Sequence, residues 1–117
     1  MEIKNQPPDS DDSCLCFQTP YQSLSIYREL GTDRAFAEAT VLICRSCGRH
    51  WLRYFYEREA FTASGRWYLG ALAPGQLSAL TADSAKSVLE SLSWYYYGGS
   101  YYEGRSGRAS GGIILFP

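Results

Sequence analysis

The sequence predicts an α+β fold, a small antiparallel sheet of three to five strands with one helix packed on it. Three observations carry this. Residues 35–43 alternate, with Ala35, Ala37, Ala39, Val41 and Ile43 on one side and Phe36, Glu38, Thr40 and Leu42 on the other. Period two that ends in β-branched residues reads as a strand. Aromatic residues make up 15% of the chain, ten of them tyrosine, and tyrosine favours sheet over helix. One clear helix follows Thr81, a good N-cap: Ala85, Val88, Leu89 and Leu92 recur at spacings of three and four.

Each element follows in order. Residues 1–13 read as a flexible acidic tail, with Glu2, Asp9, Asp11 and Asp12 against Lys4 alone, and little to bury. Residues 14–117 read as a single domain with a Tyr/Gly-rich C-terminal part. Tyr21 to Leu30 suits a short helix or a strand equally, and Gly31-Thr32-Asp33 reads as a turn. The alternating strand leads into a tight turn at Cys44-Arg45-Ser46-Cys47-Gly48. Trp51 to Phe61 is the next strand, dense in aromatics on both faces. Thr62-Ala63-Ser64-Gly65 is a hairpin loop in which Gly65 is free to take positive φ. Arg66 to Leu72 returns, and Ala73-Pro74-Gly75 stops it. The helix is expected over Ala82 to Ser93. Trp94 to Tyr102 then suggests a hairpin about Gly98-Gly99. Glu103 to Gly112 reads as a mobile loop, and Ile113 to Phe116 as a last short strand.

Composition narrows the function classes. At 117 residues with 45% hydrophobic and 20% charged content, the chain suits one globular domain. A net charge of −1 gives no global electrostatic case for nucleic acid or an acidic membrane. The first residues lack an apolar core of the secretory type, and no apolar run is long enough to span a bilayer. A cytoplasmic setting is the expectation, and there close cysteine pairs point to metal or redox chemistry more than to disulfides.

The four cysteines are the strongest chemical signal. Cys14-x-Cys16 is followed after 27 residues by Cys44-x-x-Cys47-Gly48. Zinc prefers four tetrahedral ligands, a Cys-x-x-Cys turn supplies two on one side, and a second close pair completes the shell. The expectation is one structural Zn2+ held by Cys14, Cys16, Cys44 and Cys47. The other readings are a redox dithiol at Cys44 and Cys47, an iron–sulfur centre, or four unrelated core cysteines. Cys44-Arg45-Ser46-Cys47-Gly48 resembles the knuckle of zinc-ribbon proteins, and the aromatic hairpin after it fits. The likeness covers roughly residues 14–72 and implies a zinc-ribbon-like sheet with Cys44 and Cys47 as ligands. Cys14 and Cys16 depart from a regular second knuckle, having one residue between them and no glycine after. His50, the single histidine, is a further possible ligand or a strand-start residue stacked on Trp51.

Catalysis is not expected, because any histidine-based mechanism would have to use His50 with a cysteine that zinc would occupy. Arginines 49, 53, 58 and 66 interleave with aromatics from Trp51 to Tyr68, a pattern that suits core packing or single-stranded nucleic acid. The segment Trp94 to Tyr102 holds more aromatic surface than a small sheet is expected to cover. Tyr96, Tyr97, Tyr101, Tyr102, Arg53 and Arg66 are therefore the interface candidates. The functional expectation is a zinc-stabilised binding module with a protein partner, or a second copy of itself, and no membrane role. A nucleic-acid-binding zinc ribbon and a thiol-redox protein are the alternatives.

Overall fold

The computed structural model describes residues 14–18, 21–58 and 60–115. The expected acidic tail at 1–13 lies outside them. Six strands form one antiparallel meander in chain order: β1 (Leu24–Thr32), β2 (Glu38–Cys44), β3 (His50–Tyr56), β4 (Arg66–Ala71), β5 (Tyr95–Gly98) and β6 (Gly107–Ala109). The helix α1 (Ala82–Ser91) lies between β4 and β5 in the chain. The class is α+β as expected, but there are six strands where three to five were predicted. The surplus is at the two edges. Tyr21 to Leu30 resolves into β1, and β6 forms inside the segment read as a mobile loop.

The alternation of β2 sorts the sheet into two faces. Ala37, Ala39 and Val41 are buried, and they share one face with Leu52, Tyr54, Tyr56, Tyr68, Leu72 and Tyr95. α1 covers this face with Ala85 and Leu89. Gly70 makes the close fit possible, since a Cβ there would lie 2.5 Å from Leu92 Cδ1 and 2.7 Å from Leu89 Cδ2. The opposite face carries Cys44, Trp51, Leu69 and Tyr96 and is covered by Cys16 and Phe17 of the N-terminal segment. The sheet is thus packed on both sides, by a helix on one and by the cysteine-bearing segment on the other.

Several boundaries move for physical reasons. β3 stops at Tyr56 rather than Phe61, because the Ser64 hydroxyl takes over both backbone groups of Arg58, accepting from its N–H at 2.9 Å and donating to its carbonyl at 2.8 Å. The left-handed residue of that loop is Ala63 (φ 56°), not Gly65. α1 begins at its Thr81 cap, whose hydroxyl accepts from Ser84 N. It ends at Ser91, where Leu92 turns extended (ψ 158°), two residues short of Ser93. Gly98-Gly99 is not a hairpin turn. Gly98 lies beneath the Trp67 ring, and Gly99 (φ 117°) abuts the Gly65 carbonyl, so neither has room for a side chain. After a short 3₁₀ turn at Ser100–Tyr102 the chain returns as β6, which pairs with β5 through Tyr96↔Arg108. The Arg108 guanidinium sits 4.0 Å from the centre of the Trp94 ring, and this anchors a strand too polar and glycine-rich to be recognised from sequence. Residues 113–115 form no strand, and Phe116 lies outside the described residues.

Candidate metal centre

Two local structures bring the cysteines together. The first is the turn between β2 and β3. Gly48 adopts φ +79° and donates its N–H to the Cys44 carbonyl at 2.9 Å, while Cys44 N donates to Arg49 O at 2.9 Å. This curls the backbone so that the Ser46 and Cys47 amides point at Cys44 Sγ, at 3.3 and 3.4 Å. The glycine is needed because a side chain is disfavoured in that left-handed conformation. The second is a 3₁₀ turn at Leu15–Phe17, closed by Phe17 N donating to Cys14 O at 3.0 Å. It turns Leu15 out to solvent and Cys16 and Phe17 inward. The single residue between Cys14 and Cys16 thereby becomes a sharp corner with both thiols on the same cluster.

All four sulfurs lie within 4.8 Å of one another. Cys14 Sγ is 3.6 Å from Cys44 Sγ, and Cys16 Sγ is 3.7 Å from Cys47 Sγ. These separations are far beyond a disulfide bond of ~2.05 Å. They match the ~3.8 Å edge of a tetrahedron whose metal–sulfur bonds are ~2.3 Å. Burial runs from Cys16 and Cys44, at 0% and 1% exposed, to the open Cys47.

The surroundings favour thiolate sulfur. Burial opposes ionisation of Cys44, but the Ser23 hydroxyl at 3.3 Å, the amides of Cys47 and Ser46 and the Cys14 thiol outweigh it, and its pKa falls to about 6. Cys16 and Cys47 are pushed up, first by burial and then by neighbouring thiols. Without a cation, the surroundings favour ionisation of Cys44 and oppose that of Cys16 and Cys47. A divalent metal would reverse this balance, since it deprotonates the thiols it binds. Trp51 points the same way. Its Nε1 is buried and makes no conventional hydrogen bond, while its N–H bears on the Cys16 sulfur and favours the thiolate. Arg49 Nη1 adds a donor 3.8 Å from Cys47 Sγ. The donor set, the spacing and an indole N–H that bears on the Cys16 sulfur all fit a tetrathiolate metal site.

His50 is not part of the cluster. Its ring packs edge-on to Tyr27, with centroids 4.5 Å apart. Sequence reasoning missed the supporting shell. Ser23 and Trp51 carry no motif, and only the meander brings Ser23 beside Cys44, through Leu24↔Cys44 pairing.

The interface candidates separate into two groups. Arg66 and Tyr96 are buried, at 0% and 8% exposed, and cannot offer an open surface. Arg66 lies between the rings of Tyr101, at 3.6 Å, and Tyr56, at 5.1 Å, and Tyr96 donates its hydroxyl to Phe17 O. Tyr97, Tyr101, Tyr102 and Arg53 are half-buried. The tyrosines largely satisfy one another: Tyr102 contacts Tyr97 and Tyr101 by ring packing and Tyr68 through a 2.7 Å hydroxyl hydrogen bond. The sheet absorbs far more of Trp94 to Tyr102 than expected, because both of its faces are covered.

Comparison with protein-family models, curated proteins and solved structures finds no match to this chain. No family therefore identifies it as a zinc ribbon. No helix among the described residues is long and apolar enough to cross a membrane.

Proposed function

We propose that this chain is a zinc-stabilised binding module whose target is a protein. The observation that carries the metal half is the convergence of four sulfurs, with separations of 3.6 and 3.7 Å across the two pairs. Zinc is preferred because tetrahedral all-thiolate sites suit it and structural sites are closed to solvent ligands. All four ligand positions are taken by the chain itself, which favours a scaffold role over catalysis at the metal.

A protein target is favoured over nucleic acid by the placement of the arginine–aromatic mixture. Trp51, Tyr54, Tyr68 and Arg66 are inside the fold, so they support its packing and are not available to stack on bases. Phe36 and Ile114 are instead exposed and line one groove beside α1, and grouped apolar surface is the kind that partners cover. Elemental analysis of the purified chain tests the metal, with one zinc per chain expected. Photo-crosslinking in cells, followed by reconstitution with the purified partner, tests the target. A chain free of metal, or one that binds only oligonucleotide with a steep salt dependence, would refute the reading.

A further inference from the structure

We propose that the cysteine cluster is an oxidant-sensitive switch. Cys47 is the site of attack by a peroxide, and Cys16 closes a disulfide with it, exchanging the metal clamp for a covalent one. This rests on the zinc reading above and gives the four sulfurs separate roles.

The sulfurs differ in access. Cys47 is exposed and Cys14 half-buried, while Cys16 and Cys44 are sealed from solvent. A dissolved oxidant therefore meets Cys47 first. Metal-bound cysteine is thiolate, the form that peroxides oxidise, and an open thiolate beside a second cysteine is the arrangement of a redox sensor. The Arg49 guanidinium, with Nη1 3.8 Å from Cys47 Sγ, places a cationic donor at the entry sulfur, where a hydroxide leaving group forms. Cys16 Sγ stands 3.7 Å away, and side-chain rotation can close that gap to a bond of ~2.05 Å. Because Cys16 is sealed, it reacts with an electrophile formed inside the cluster and not with the oxidant itself.

Cys44 is the less available partner for Cys47. Its sulfur accepts from the Ser23 hydroxyl at 3.3 Å and from the Ser46 and Cys47 amides at 3.3 and 3.4 Å. Donors to a thiolate are charge-assisted, and a neutral disulfide sulfur would weaken all three bonds. The contacts of Cys16 are instead to side chains, the Trp51 indole and the other thiols. The geometry also favours links between segments. Two sulfur pairs are in contact, Cys14 with Cys44 at 3.6 Å and Cys16 with Cys47 at 3.7 Å. Each joins the 14–16 corner to the turn between β2 and β3, so a disulfide at either would tie the N-terminal segment down without a metal.

The chemistry balances with one peroxide per disulfide. The Cys47 thiolate attacks a peroxide oxygen, the O–O bond breaks, hydroxide leaves, and Cys47 becomes a sulfenic acid. The Cys16 thiolate then attacks the Cys47 sulfur, forms the S–S bond and expels a second hydroxide. The two thiolates give up two electrons and the peroxide takes them. Cys14 and Cys44 are left as a two-sulfur site, too few ligands for a structural zinc, so the metal departs. The Phe17 ring keeps its place on Trp51, 5.1 Å between centroids, because its neighbour Cys16 is now held covalently. A dithiol reductant restores both thiols and the metal site.

The test titrates the zinc-loaded full chain with hydrogen peroxide, follows the metal with a zinc-indicator dye, and maps the first disulfide by mass spectrometry after the remaining thiols are alkylated. No substitution is needed, because trypsin separates the candidates. Residues 46–49 carry Cys47 alone, residues 35–45 carry Cys44 alone, and residues 5–28 carry Cys14 and Cys16. Expected are release of the zinc, a link between 46–49 and 5–28 that fragmentation places at Cys16, and recovery of the metal site with dithiothreitol and zinc. Tryptophan emission should stay that of the zinc-loaded chain, whereas a chelator shifts it to the red. A first disulfide between Cys44 and Cys47 or between Cys14 and Cys47, or a sulfinic acid at Cys47 with no disulfide, overturns the proposal. So does zinc that stays bound after the link has formed, or emission that shifts as far as with chelator. Each of these defeats this inference alone. A chain that carries no zinc before oxidation defeats the wider reading as well.

Discussion

Removing the metal should release the N-terminal segment while leaving the helix-side core in place. Residues 14–18 are held by Phe17, which is 8% exposed. Its ring packs edge-on to Trp51 with centroids 5.1 Å apart, and its carbonyl accepts from the Tyr96 hydroxyl at 3.1 Å. Burying the ring contributes about 2–3 kcal/mol. The aromatic contact and the hydrogen bond add about 1–2 kcal/mol together. Against this stands the ordering of five backbone units at ~1–2 kcal/mol each, or about 5–10 kcal/mol. The protein contacts alone fall short. A structural zinc, with an apparent binding energy of ~10–16 kcal/mol, reverses the balance. Chelation should therefore expose Trp51, which is fully buried in the folded chain. The assay is tryptophan emission with far-UV circular dichroism during titration with a high-affinity chelator. A red shift that tracks zinc release, with the sheet and helix signal largely retained and restored by added zinc, is expected. Emission that stays constant while zinc is shown to leave would refute the clamp. Concerted loss of all secondary structure would refute the independence of the two cores.

Three further outcomes follow from local geometry. Ser23→Ala removes the hydroxyl 3.3 Å from Cys44 Sγ and should weaken zinc affinity about tenfold, measured by chelator competition, without changing the stoichiometry. Gly99→Ala places a Cβ 2.5 Å from the Gly65 carbonyl at a φ of 117°. It should destabilise by more than about 2 kcal/mol in urea unfolding, from backbone strain and overpacking together, and a wild-type midpoint would contradict the close approach. Burial alone would raise the Glu90 pKa, but Lys86 at 2.8 Å and the Ile113 amide at 2.8 Å overcome it and hold the carboxyl below its usual range. A depressed carboxylate contributes stability that is present above its unfolded pKa and lost as pH falls through the folded one. The thermal unfolding midpoint should thus fall on acidification from about pH 5 downward, with a shallower slope in Glu90→Ala.

What was legible in the sequence was whatever a short window encodes. The β2 alternation, the Thr81 cap and the Cys44–Gly48 knuckle each depend on residues within a few positions; the cap and the knuckle stand where the pattern puts them, while β2 begins at Glu38 and Ala35 to Ala37 belong to the loop before it, where Phe36 turns left-handed. The edge strands were not legible. β1 carries bulges between Ile26 and Arg28 and between Glu29 and Gly31, which break the period-two signal. β6 is a three-residue strand whose anchor, Arg108 on Trp94, comes from fourteen positions away. The tyrosine-rich segment misled for a related reason. An exposed surface follows only if the sheet has one free face, and the cysteine-bearing segment covers the second. Arg66 shows the limit most plainly. A buried guanidinium between two tyrosines, bonded to Ser64 and Ile114 carbonyls, is indistinguishable in sequence from a surface arginine.

The geometry also sets the cysteine cluster apart from the groove that Phe36 and Ile114 line. β2 runs from the groove end, at Glu38, to the cluster end, at Cys44, a span of about 20 Å at ~3.3 Å per residue. The groove floor lies on the helix-side face and the cysteine cluster packs on the other. A metal held by the four sulfurs would therefore lie away from Phe36 and Ile114. It would act by holding Cys16 and Phe17 over the face of Trp51 and Tyr96, opposite the face that α1 covers. A segment as short as residues 14–18 cannot seal that face by apolar burial alone, and the four thiols make up the difference. The Phe36 loop is fastened to β3 through Asp33 and Tyr54, and a metal at the far end of the β2–β3 hairpin would secure that hairpin's other face.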